Sequence, residues 1–378
     1  MLGISYRRRR LLASSWVRLT HWEYWPPWVT YLPVVVYVIG LMLRHRSATA
    51  FTAANPAMVA GGFVGESKID ILRGLGASTE LVARSGFIDG HLPLDAKVSR
   101  ADQFMRSCGL ALPVVLKPNA GQRGSGVVIA RTRGELMAYL GQAQVDIVIQ
   151  EYVAGLEFGV FYCRKPSDSR GRILSITEKH LPTVIGDGRS TVEHLILQDL
   201  RTLGMARFHL KRQFAALADI PATGRSISLG DCGSHCRGAT FLDGRPLLTP
   251  SIERAFDCIA RAYDGFYFGR FDVRVGSKED FINGQGFKII ELNGVTSEAT
   301  HIYDPRVSVV DAYRALFEQW RLAFEIGAEN VSRGVGETTM WQLMRLLIAY
   351  RDESEGHLVE MSRSTRVTSS IQRVRRFW

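Results

Sequence analysis

Cysteine is scarce and irregularly spaced. Five thiols, Cys108, Cys163, Cys232, Cys236 and Cys258, make an odd number in 378 residues, which argues against a disulfide framework and suits a reducing compartment. Cys232, His235 and Cys236 lie close together, but no second ligand pair stands at a matching spacing, so small buried residues are preferred there over a zinc site. Positive charge is missing where a nucleic-acid groove would need it. The formal charge is +10, yet seven arginines against the single acid Glu23 fall in residues 1–50, and five arginines against no acid fall in residues 361–378. The span between is nearly neutral, so no nucleic-acid partner is expected. Basic ends of this kind suit an anionic membrane surface, with plain solvation an equal reading for the C-terminal one. A Walker A loop and a dinucleotide fingerprint are absent too, since both must open a helix and the glycine loop at residues 119–126 runs from strand to strand.

What is present is a globular composition, 46% hydrophobic and 22% charged, in a chain long enough for two or three lobes. Tyr24 to Leu43 is uncharged and ends at Arg44 and Arg46. As one helix it would approach the thickness of a bilayer core. Pro26, Pro27 and Pro33 interrupt it, which predicts a helix starting at Pro27 with a kink at Pro33. Trp16, Trp22, Trp25, Trp28, Tyr24 and Tyr31 crowd the approach like an interfacial aromatic belt. Arginines on both flanks favour a monotopic anchor on the cytoplasmic face of a membrane, with a single N-terminal span as the alternative.

The chemistry-bearing stretches follow. Phe51 to Pro56 reads as a short strand, and Gly61 to Lys68 as a glycine turn entering a helix, where Glu66, Ser67 and Lys68 either make the turn or hold an anionic group. Pro113–Pro118 and Val127–Ala130 are β-rich runs flanking Asn119–Gly126. A glycine hairpin of this kind either is a plain turn or closes over a triphosphate through the backbone of Gly121, Gly124, Ser125 and Gly126, with Lys117 aiming a cation at the phosphates. Val148 to Phe158 is either an ordinary strand connection or an adenine seat at Glu151, Tyr152 and Val153, with Glu157 on the ribose. Phe268–Val275 and Ile289–Gly294 alternate as hairpin neighbours. That pattern gathers Arg270, Asp272, Glu291 and Asn293 on one face, and puts Phe271, Val273, Ile290 and Leu292 on the other. Two carboxylates and an amide oxygen on one sheet face suit Mg²⁺.

In this order, Lys117, the glycine loop, the Glu151–Glu157 connection, Arg270-Phe271-Asp272 and Glu291-Leu292-Asn293 resemble the ATP-grasp superfamily. Lys179 to Val192 is similar to its cyanophycin synthetase branch. The resemblance spans roughly residues 95–320. It implies an α+β fold, with two α/β lobes holding a nucleotide between them, preceded by a small α/β lobe and an N-terminal hydrophobic helix. The expected units are a basic membrane-associating segment 1–47, a small lobe 48–110, the ATP-grasp domain 111–325, and a C-terminal helix with a basic tail 326–378. The resemblance further implies a ligase joining a carboxylate to an amine through an acyl phosphate, using ATP and Mg²⁺ (or Mn²⁺). By that likeness Lys117 and Lys179 serve ATP, Asp272, Glu291 and Asn293 hold metal, and Arg270 stabilises the transferred group. A phosphotransferase and a non-catalytic membrane scaffold are the rival readings. The chain departs from its relatives at Gly230–Gly238 and Gly294–Pro305, where His235, Arg237 and Ser297 are the substrate-side candidates.

Overall fold

A computed structural model describes residues 5–350, apart from 122–123, 231–232 and 234–237 and the side chains of 77–79. The first sheet runs in the order β1 (Ser85–Ile88), β4 (Ile147–Glu151), β2 (Val114–Pro118), β3 (Val128–Ala130), all antiparallel. Alternation decides its two faces. Ile88, Val114, Leu116, Ile147 and Ile149 bury themselves against Ala101 of α5 (Leu94–Ser107) and Leu136 and Leu140 of α6 (Arg133–Gln142). The opposite face is left with Val115, Lys117 and Gln150. A capping box between Thr132 and Glu135 fixes the start of α6.

The second sheet has the order β11 (Phe287–Asn293), β10 (Phe268–Val275), β5 (Leu156–Cys163), β6 (Arg172–His180), β9 (Thr240–Asp243). One face packs Phe158, Val160, Tyr162, Phe271, Val273 and Leu292 against Ile252, Phe256 and Ile259 of α10 (Pro250–Ala262). The other face carries the polar residues discussed below. The two sheets meet where Lys117 Nζ and Gln150 Nε2 donate to the Ile290 carbonyl, at 3.0 and 3.1 Å. The remaining elements frame this junction. They are α4 (Lys68–Gly74), a ribbon of β7 (Thr183–Ile185) and β8 (Ser226–Ser228), the helices α7 (Val192–Gln198), α8 (Leu200–Leu203) and α9 (Ala206–Arg212), α11 (Lys278–Ile282) inside the β10–β11 connection, and the 24-residue α12 (Val309–Ser332).

Three expectations need correction. The uncharged N-terminal run is not one kinked helix. It divides into a 3-10 turn at Trp22–Tyr24, α2 (Pro27–Thr30) and α3 (Leu32–His45), each helix carrying proline in its first turn, where no amide is needed. No helix among the described residues is long and apolar enough to cross a membrane. Phe51 to Pro56 is not a strand: Ala50–Ala53 is a 3-10 turn buried against α12, so close that a side chain at Gly327 would meet the Ala50 carbonyl at 1.9 Å. Asn55 locks this segment to β10, donating to the Gly61 and Phe268 carbonyls and accepting from the Tyr267 and Phe268 amides. Ile290 does not share the core face. A register shift between Asp272 and Val273 bulges β11 and turns Ile290 toward the polar side.

The basic segment is built into the fold as well. In α1 (Tyr6–Thr20), Leu11, Ala13 and Val17 pack on the α7–α9 cluster, and Arg10 donates to the Leu197 carbonyl at 2.7 Å.

Candidate active site

Between the sheets lies a cavity of about 770 Å³, within the size range of small-molecule sites. Its roof is the loop between β2 and β3. Gly121, Gly124 and Gly126 all have positive φ, at 137°, 70° and 71°, a backbone that side chains beyond glycine rarely adopt. Lys68 anchors the roof from below, donating to the Gly121 carbonyl at 2.7 Å. Neighbouring Ser67 caps α4 by accepting from the Asp70 amide. Glu66 and Lys68 both line the cavity.

The floor is the polar face of the second sheet. Asp272 stands directly across β10–β11 from Glu291, and Arg270 from Asn293; opposite pairs of this kind hold their Cβ atoms roughly 5 Å apart. Asp272 accepts from Arg270 Nε and Nη2 at 2.8 and 3.1 Å and pairs with Lys179 Nζ at 2.9 Å. Burial disfavours its charge, but the guanidinium and the ammonium outweigh burial and hold its pKa below the ordinary carboxylate range. Lys179 also meets Glu157 Oε1 at 3.3 Å, and Arg274 binds Glu157 Oε2 at 2.8 Å. Lys117 is buried and donates to Gln150 Oε1 at 3.1 Å as well as to the Ile290 carbonyl.

The donor set fits Mg²⁺. Asp272, Glu291 and Asn293 are hard oxygen ligands on one cavity wall. The Asn293 Nδ2 atom is buried with no hydrogen-bond partner among the described residues, which leaves that N–H donor open to a ligand oxygen beside the metal-binding set.

Comparison with known families gives a match over part of the chain. Residues 76–159 match the RimK-like ATP-grasp domain family, a span that covers β1 to β4, the glycine roof and the start of β5. Over that stretch the chain is similar to an ATP-grasp domain. Among solved structures it is similar to a bifunctional glutathione synthetase from Pasteurella multocida, with 16% identity over 67% of this chain and 36% of that one and a TM-score of 0.37. It is similar also to the VanG D-Ala:D-Ser ligase from Enterococcus faecalis, with 12% identity over 70% and 61% of the two chains and a TM-score of 0.39. A third likeness is to the D-alanine–D-alanine ligase from Bacillus anthracis complexed with ATP, with 14% identity, coverages of 70% and 67%, and a TM-score of 0.38. The chain thus spans little more than a third of the first and under two thirds of the second. Among curated proteins, nothing matches.

The cavity brings together most of the residues singled out from sequence. Lys117, Gly121, Gly124, Ser125, Glu151, Tyr152, Val153, Glu157, Lys179, Arg270, Asp272, Glu291, Asn293 and Ser297 all line it, and Gly126 lies in its roof. Several have further duties. Glu151 binds Lys288 Nζ at 2.6 Å and the Arg84 amide, and the Val153 carbonyl accepts from Arg274. Ser297 donates to the Gly294 carbonyl. His235 and Arg237, with Cys232 and Cys236, lie outside the described residues; their loop nears Glu157 at Gly233, where an added Cβ would stand 2.5 Å from Glu157 Oε1. Among the described residues no cluster of three or more His, Cys, Asp or Glu side chains forms a metal site.

Sequence reasoning missed a second wall. Trp22, Trp25, Tyr31, Phe63 and Trp320 line the same cavity, so part of the expected membrane belt faces inward. Glu298, Tyr303, Ile290 and Arg274 were missed also. Glu66 sits where the Gly61–Gly62 turn touches Gly294. Gly62 has φ +81°, and a Cβ there would lie 2.3 Å from Glu66 Oε1 and 2.6 Å from Gly294 Cα. Burial pushes the Glu66 carboxyl up to about 7, and the neighbouring Glu291 charge adds to the rise.

Proposed function

We propose that this chain is an ATP- and Mg²⁺-dependent ligase that joins a carboxylate to an amine through an acyl phosphate at the cytoplasmic face of a membrane. One observation carries the reading. The cations Lys117, Lys179 and Arg270 share a single cavity with the oxygen donors Asp272, Glu291 and Asn293, beneath a glycine roof. The family match to residues 76–159 supports the reaction class.

In this reading the triphosphate lies under Gly121, Gly124, Ser125 and Gly126, where backbone N–H groups meet its oxygens. The adenine packs on Ile290 near Tyr152 and Val153, and Glu157 lies toward the ribose. Asp272, Glu291 and Asn293 would hold Mg²⁺, which would supply neutralisation of phosphate charge. A substrate carboxylate oxygen attacks the γ-phosphorus and ADP leaves. Lys117 and Lys179 take up charge on the phosphates, and Arg270 faces the transferred group, where a fixed guanidinium stabilises developing negative charge. An amine then displaces phosphate from the acyl carbon.

The membrane part of the proposal rests on α2 and α3. Their inner side, at Val34 and Leu41, is buried, whereas Trp28 is 76% exposed and Val36 63% exposed, in a row continued by Leu32, Ile39 and Leu43. Arg44 and Arg46 end that row. Such a face suits lying in the interface rather than crossing it.

Hydroxylamine trapping tests the chemistry. With Mg²⁺, ATP and a panel of carboxylic acids, the expected outcome is a hydroxamate formed together with ADP. Phosphate transferred to an alcohol, with no hydroxamate from any acid, would favour the phosphotransferase reading.

A further inference from the structure

The cavity has two chemically different ends, and Glu298 stands where they join. At one end are Arg270, Asp272 and the lysines. Arg270 Nη1 donates to the Glu298 backbone carbonyl at 3.0 Å, which ties this residue to the group facing the transferred phosphoryl. At the other end, Tyr303 donates its hydroxyl to Glu298 Oε2 at 2.9 Å, and the Tyr303 ring stacks on Trp22 with centroids 5.4 Å apart. Beyond Trp22 the wall continues through Trp25, Tyr31, Phe63 and Trp320. Phe63 and Trp320 are both held by the Phe51 ring, at 5.1 and 5.6 Å.

Glu298 Oε1 is shielded from bulk solvent and has no hydrogen-bond partner among the described residues. An unpaired carboxylate oxygen in such a place is costly unless a donor arrives to meet it. The described residues supply none. A ligand bearing N–H groups does, and an aromatic wall on the same side asks for an apolar body behind those groups.

We propose that Glu298 and the Trp22–Tyr303 wall form the acceptor subsite, which takes a primary amine carried on an apolar or aromatic body. This inference rests on the ligase reading for its chemistry, though not for its binding. In the joining step the amine nitrogen forms a bond to the acyl carbon, the bond from that carbon to the phosphate oxygen breaks, and inorganic phosphate leaves. The proton shed by the nitrogen passes to the Glu298 carboxylate.

The test uses the full chain and small probes read by tryptophan fluorescence, since Trp22, Trp25 and Trp320 report from the wall itself. The wild type is expected to bind 2-phenylethylamine at least about ten-fold more tightly than 2-phenylethanol, the loss of one charge-assisted hydrogen bond. Ethylamine, which lacks the apolar body, is expected to bind at least about ten-fold more weakly than 2-phenylethylamine. Glu298→Gln is nearly isosteric and should erase the preference for amine over alcohol, while Tyr303→Phe, which keeps the carboxylate, should retain it. Equal binding of amine and alcohol by the wild type, or a preference that survives in Glu298→Gln, overturns the proposal; ethylamine binding as well as 2-phenylethylamine overturns its apolar half. Hydroxamate trapping separates the two levels. A wild type that makes no hydroxamate but shows the Glu298-dependent amine preference refutes the ligase reading and leaves the subsite standing. Hydroxamate without that preference does the reverse.

Discussion

Asp272 shows why single residues of this site were legible and their duties were not. Alternation along Phe268–Val275 was enough to place Arg270 and Asp272 on one polar face. That Lys179 of β6 joins Arg270 on this carboxylate follows from β6 and β10 flanking β5, strands far apart in sequence, which a local pattern does not contain. Ile290 was misplaced for a similar reason: a bulge shifts the two-residue period by one, and nothing in Lys288–Asn293 announces it. His301 carries a residue-scale prediction. It is buried, and desolvation, with Arg245 nearby, lowers its pKa to about 4, while Asp243 and Asp304 pull the other way. The folded-state pKa thus lies below the unfolded value of about 6.5. The folded chain resists protonation here, so stability is fully present above pH 6.5 and falls as pH drops toward 4. At pH 5 the loss is on the order of 2 kcal/mol. Urea unfolding at pH 7.5 and pH 5 should show His301→Gln losing less stability than the wild type over this interval by roughly that amount. Parallel losses would remove His301 as the cause.

Elements were readable where local rules suffice. The hairpin neighbours β10 and β11, the strands either side of the glycine roof, and a helix over residues 340–350 all follow from alternation, turn chemistry or period. The N-terminal elements were not, because an apolar run of twenty residues has the same sequence signature whether it faces lipid or protein. Here α3 divides its faces, with Val34 and Leu41 against the body and Leu32, Val36, Ile39 and Leu43 outward. The outward face is the element that the membrane proposal needs. Replacing Val36 and Ile39 together with Asp should cut co-sedimentation with vesicles containing phosphatidylserine by at least about ten-fold, since each charge placed in the interface opposes burial of the apolar face. Because both side chains are exposed, thermal unfolding in the absence of vesicles should shift little. Undiminished sedimentation of the double variant would sink the monotopic reading.

At the scale of the whole molecule, the site exists only because two sheets, an N-terminal segment and α12 close around one volume. Lys117 and Gln150 reach across to β11, the Gly61–Gly62 turn seats against Gly294, and Trp22 contributes its ring to a wall completed by residue 320. Motif order revealed the polar half, because each of its parts is a short strand or turn with its own signature. The aromatic half has no local signature: its members come from positions 22, 25, 31, 63 and 320, and only the packed chain brings them together. The central claim is that this cavity holds ATP with Mg²⁺, and equilibrium titration of the intact protein with a fluorescent ATP analogue tests it most directly. The account predicts saturable binding that is strengthened at least about ten-fold by Mg²⁺, weakened at least about ten-fold by Lys117→Met, and made insensitive to Mg²⁺ by Glu291→Gln. Absence of binding at millimolar analogue, or binding indifferent to Mg²⁺ and to both substitutions, would contradict it.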